Sequence, residues 1–67
     1  MPNRPHYQAK LSDLMETLLS MQSHNVRLYD AMLKTGDPDR EQQADFMDVL
    51  SRLMGVVEEE QRKAKDA

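Results

Sequence analysis

Apolar residues recur along the first half of the chain at spacings that alternate between three and four, the period of an α-helix. One row runs Tyr7, Leu11, Leu14, Leu18, Met21, Asn25, Leu28, Met32. A second row runs beside it: Met15, Leu19, Gln22, Val26, Tyr29, Leu33. The positions left over are polar, among them Asp13, Glu16, Ser20, Ser23, Arg27 and Asp30. No Pro or Gly interrupts residues 6–34, so the pattern predicts one helix there, on the order of 40 Å long at ~1.5 Å per residue. Pro2 and Pro5 make residues 1–5 irregular, although Pro5 suits a first helical turn, where its missing N–H costs nothing.

The second half repeats the design. Phe46, Leu50, Leu53 and Val57 form a central row, flanked by Met47 and Met54 on one side and by Val49 and Val56 on the other. Asp45, Asp48, Ser51, Arg52, Glu58 and Glu59 occupy the opposite face. The pattern predicts a second helix over 38–63 and a frayed end over 64–67. Glu58 with Arg62 and Glu59 with Lys63 stand four residues apart in the favourable order. Gly55 interrupts this helix and suggests a close helix–helix approach, or else a kink.

Between the two patterns stands Thr35-Gly36-Asp37-Pro38-Asp39. Gly36 suits the left-handed position just past a helix end. Asp37 is a good N-cap, Pro38 fits a first helical position, and Asp39 and Glu41 put negative charge at the positive end of the helix dipole. A turn over 35–37 therefore joins two antiparallel helices in an all-α hairpin.

Each apolar face covers roughly 160° of its helix, against the ~100° stripe of an ordinary surface helix. In a lone hairpin each helix has one neighbour, which covers about one row, and the other row would face water. Exposed apolar strips of that size mark interfaces. Two hairpins packed face to face give every helix two neighbours, so the expected architecture is a twofold dimer forming a four-helix bundle. The expected core is Leu11, Leu14, Leu18, Met21, Asn25, Leu28, Met32, Phe46, Leu50, Leu53 and Val57. Tyr7, Met15, Leu19, Val26, Tyr29, Leu33, Met47 and Met54 are the candidates for contact with a second protein. Either row can serve either purpose, and the two hairpins can run parallel or antiparallel.

Size makes the same demand. At 67 residues a single core is marginal, and short domains usually need disulfides, metal or association. The chain has no cysteine, which excludes disulfides and thiolate metal sites and fits a reducing cytoplasm. Nine Lys plus Arg stand against twelve Asp plus Glu, and no basic patch of the kind nucleic-acid binding needs is present. Apolar runs are short, so neither a secretory leader nor a membrane span is expected.

Individual residues add little chemistry. Asn25 in an apolar row sets register and pairing, as a lone seam Asn does in coiled coils, with Gln22 beside it to complete an amide pair. The methionines are core filler or an adaptable binding surface. Tyr7 and Tyr29 suit an interface rim, and Arg4, His6 and Lys10 form a short basic patch near Tyr7. His6 and His24 lie too far apart along one helix to share a metal, and Asp37, Asp39, Glu41 and Asp45 lack the ligand order of a calcium loop. No nucleophile–base pair, phosphate loop or cofactor motif is present, so no enzymatic activity and no cofactor is expected.

The layout is similar in kind to several small bacterial hairpins. Glu41-Gln42-Gln43-Ala44-Asp45-Phe46 resembles the start of the second helix in the Rop-type RNA-binding dimers, which implies a dimer that grips RNA. Basic residues along the first helix are few and scattered, however. Type III secretion chaperones share the plan, and so do small sporulation phosphatases, whose Ser-Gln-Glu-Leu-Asp motif is missing here. None of these assigns a family. The function expected is that of a small non-enzymatic regulator, an adaptor, inhibitor or anti-activator, that dimerises and masks a partner protein. An RNA-binding dimer, a secretion chaperone and a purely structural module are the alternatives.

Overall fold

The computed structural model describes residues 5–66, as two helices and no strand: α1, Pro5–Thr35, and α2, Arg40–Asp66. The irregular segment expected over 1–5 lies, apart from Pro5, outside the described residues, as do Arg4 of the basic patch and Ala67 of the frayed end. Pro5 opens α1. α2 continues helical through residues 64–66, where the Gln8 side-chain amide donates to the carbonyl of Ala64 at 2.9 Å and ties the end to α1.

The turn follows from its residues. Gly36 adopts φ 67°, a left-handed conformation that costs an L residue with a side chain roughly 1–2 kcal/mol. This lets the Asp37 N–H reach the carbonyl of Met32 at 2.9 Å and the Gly36 N–H reach Leu33 at 3.3 Å. These two bonds close the Schellman motif at the end of α1. One Asp37 carboxylate oxygen then accepts from the Asp39 N–H at 2.9 Å, satisfying a free amide in the turn that leads into α2. Regular helix begins at Arg40 instead of Pro38, because the Arg40 N–H bonds Asp37 in a tighter three-residue turn.

The molecule is a rod. Its extents are 51 × 15 × 11 Å and its radius of gyration is 15.5 Å. A compact chain of this length would measure roughly 11 Å. Two helices side by side have no third layer to close over them. Among the described residues only Leu11, Leu18, Leu50 and Val57 are buried apolar residues, and no side chain is fully enclosed. Met15, Met54 and Ala64 pack against them. Gly55 lies on the outer side of α2, where an added Cβ would meet nothing within 4 Å. The expected close approach is therefore not what Gly55 serves, and α2 runs through it unbroken.

Candidate functional site

The α1–α2 contact takes alternate members of the two rows legible in the sequence. From the first row it uses Leu11, Leu18, Asn25 and Met32; from the second it uses Met15, Gln22 and Tyr29. Gln8 extends it at the N-terminal end. On α2 the contact runs through Gln43, Met47, Leu50, Met54, Val57, Gln61 and Ala64. Both lists keep the alternating three-and-four spacing of a two-helix seam. A seam of that kind consumes only a narrow stripe of each helix, so the broad apolar faces are split rather than buried.

What remains of the first row forms one flank of the rod. Tyr7, Leu14, Met21 and Leu28 stand seven residues apart on α1, and all are exposed. Phe46 and Leu53 stand seven apart on α2, with Val49 and Val56 in the next row outward, again exposed. The two sets share a side. The Tyr7 hydroxyl donates to a Glu60 carboxylate oxygen at 3.1 Å, and Glu60 continues the Phe46–Leu53 row by seven residues. Met21 and Phe46 also line one open groove, together with Asn25, His24 and, from the back of α1, Asp13 and Glu16. This is the first flank.

What remains of the second row, Leu19, Val26 and Leu33, lies exposed on the opposite side of the seam. Helical register sets Ala44, Ser51 and Glu58 beside that ridge on α2, and Glu16, Asp30 and Asp48 along its borders. Asp30 bonds Lys34 and Asp48 bonds Arg52, each at 3.0 Å, holding both cations on the back of the rod. This is the second flank.

Among the residues expected in the core, Leu11, Leu18, Asn25, Leu50 and Val57 are buried within the hairpin and Met32 is half-buried. Leu14, Met21, Leu28, Phe46 and Leu53 lie open on the first flank. Of the partner candidates, Met15, Tyr29, Met47 and Met54 are half-buried in the seam. Tyr7 joins the first flank, and Leu19, Val26 and Leu33 form the second.

Polar members of the seam fix its register. The Asn25 side-chain oxygen accepts from the Gln43 amide at 3.1 Å, so the partner of the buried amide is Gln43 on the other helix and not Gln22. Gln22 donates to the carbonyl of Met47 at 3.4 Å, while its own side-chain oxygen is buried without a partner among the described residues. Gln43 and Gln8 were invisible to an apolar pattern. Their signal was the heptad spacing continued through polar positions. The terminal ion pairs also shift by one residue from expectation. Arg62 meets Glu59 at 2.9 Å and Lys63 meets Glu60 at 3.7 Å, the other Glu60 oxygen accepting from Tyr7.

Among the described residues no group of three His, Cys, Asp or Glu side chains is placed to hold a metal, and no helix is long and apolar enough to cross a membrane. What the surface can do is bury apolar area. Comparison with protein-family models, with curated proteins and with solved structures gives no match.

Proposed function

We propose that this chain is a small non-enzymatic regulator that works as a helical-hairpin homodimer, a four-helix bundle, and masks the surface of a second protein. One observation carries the reading. Among the described residues, eleven large apolar side chains are more than a third exposed on the rod, while only four apolar residues are buried in its seam. Isolated surface leucines are ordinary, but here they stand in rows on both flanks. A second copy covers one flank of each hairpin, and the flank left over is available to a different protein. A cysteine-free chain suits a cytoplasmic setting for this role.

Sedimentation equilibrium at micromolar concentration tests the dimer, with an expected mass of twice 7.8 kDa. A fully helical species of single mass would overturn it. The regulatory half is tested by capturing proteins from native lysate with the immobilised chain. A specific protein should be held by the wild type and lost on substituting Leu19 and Val26 with Lys, with helix content and mass unchanged. Capture by neither chain favours a purely structural dimer.

A further inference from the structure

We infer that the first flank is the face that a second copy covers, and that the two hairpins lie antiparallel, with their turns at opposite ends of the bundle. The inference rests on the dimer proposed above and specifies its geometry.

Charge selects the face. Between Leu14 and Leu28 on α1, and between Gln42 and Val56 on α2, the rows of the first flank hold no Asp, Glu, Lys or Arg, and Asp13 and Glu16 only border its groove from the back of α1. Its charged residues, Lys10, Asp39, Glu60 and Lys63, all sit toward the ends. The second flank carries Asp30 and Asp48 beside its ridge and Glu58 in the Ala44–Ser51 row, within its middle stretch, with Lys65 at the end of that row. Two copies joined through that flank would bring carboxylates together, and like charges across an interface are costly. The first flank is also the one to which both helices contribute large apolar side chains. It is roughly 30 Å long by ~20 Å across two helices, on the order of 600 Å² in projection, near the ~800 Å² each partner buries in a standard interface.

Row length selects the direction. The α1 row from Tyr7 to Leu28 spans ~32 Å, while the α2 row from Phe46 to Val56 spans only ~15 Å. With turns at opposite ends, each row packs on its own copy, reversed. Tyr7 then faces Leu28 and Leu14 faces Met21; Phe46 faces Val56 and Val49 faces Leu53. The α1 row reverses about the midpoint between 17 and 18, and the α2 row about residue 51. These two midpoints share one layer of the hairpin, because the Gln22–Met47, Asn25–Gln43 and Tyr7–Glu60 bonds fix a register that sets them side by side. A single twofold axis through the Leu18–Leu50 layer therefore satisfies both rows. The same axis sets Asp39 of one copy opposite Lys63 of the other, twice. With turns at the same end, α1 would lie on α2, and the ends of its longer row would fall on charged or polar residues: Tyr7 on Glu60 and Lys63, Leu28 on Asp39 and Gln42.

The absence of native cysteine makes single-site labelling clean. A spin label at Glu41→Cys, ten residues from the α2 midpoint, should read an intermolecular distance of roughly 30 Å from twenty residues of helix rise. A distance near 15 Å, the diagonal of a bundle with helices ~10 Å apart, would mean turns at the same end and would overturn the direction. Val49→Lys with Leu53→Lys should abolish the dimer, either as single hairpins or with loss of helix. Leu19→Lys with Val26→Lys should keep the mass at twice 7.8 kDa. Dissociation by the second pair and not the first would overturn the face while leaving the dimer standing. A wild-type chain of single mass would instead remove the dimer itself, and this geometry with it.

Discussion

Gln22 is the residue at which the hairpin spends stability without an evident return inside the chain. Its amide donates to a Met47 carbonyl that α2 already uses, and its side-chain oxygen is enclosed without a partner among the described residues. A buried unsatisfied acceptor costs roughly 1–3 kcal/mol, more than a long hydrogen bond returns. Gln22→Met keeps the volume and removes the stranded oxygen. It should raise stability by about 1 kcal/mol, read as a higher urea midpoint at unchanged slope. A lowered midpoint would show that the amide is satisfied in a way the hairpin alone does not provide. Asn25 differs, because Gln43 meets its side-chain oxygen across the seam. The special role of Asn25 was legible from its place in an apolar row. Its partner was not, because eighteen residues of chain separate the two and only the hairpin register joins them.

At the scale of elements, the two glycines separate what local sequence can say from what it cannot. Gly36 is read correctly from its neighbours, because a helix end, a left-handed residue and an Asp cap are all decided within five residues. Its φ of 67° is strained for any other L residue, so Gly36→Ala should cost about 1–2 kcal/mol. Gly55, whose place inside a helix suggests a close helix–helix approach or a kink, faces open space instead. Gly55→Ala should therefore gain about 1 kcal/mol from helix propensity, and thermal melts of the two variants should move in opposite directions. The cause of the misreading is the width of the apolar faces. Two rows of equal spacing fit α1, and nothing in a single sequence says that the contact will take alternate members of each. The helices and their turn were thus legible, and the rotation of each helix about its axis was not. That rotation sorts Leu14 and Met21 onto one flank and Leu19 and Val26 onto the other.

For the whole molecule the decisive quantity is shape. A rod with a radius of gyration of 15.5 Å shields little of its apolar surface, and four buried apolar residues among those described are a thin core for two helices of 31 and 27 residues. Helices in water draw most of their stability from packing of their apolar faces, so a rod left alone would hold its helices weakly. If a second copy supplies the missing layer, folding and association are one equilibrium, and mass action must appear in the melting temperature. Tenfold dilution removes about 1.4 kcal/mol from the dimer, which corresponds to a fall of roughly 5 °C for a dimer of this size. Circular dichroism melts over a hundredfold concentration range should therefore shift by about 10 °C in the wild type. The Leu19→Lys, Val26→Lys variant should track it in parallel, because its changes lie on the flank the dimer does not use. A melting temperature independent of concentration would mean that the seam alone holds the helices. The exposed rows would then be surface the fold tolerates, and neither flank would owe its apolar character to a second copy.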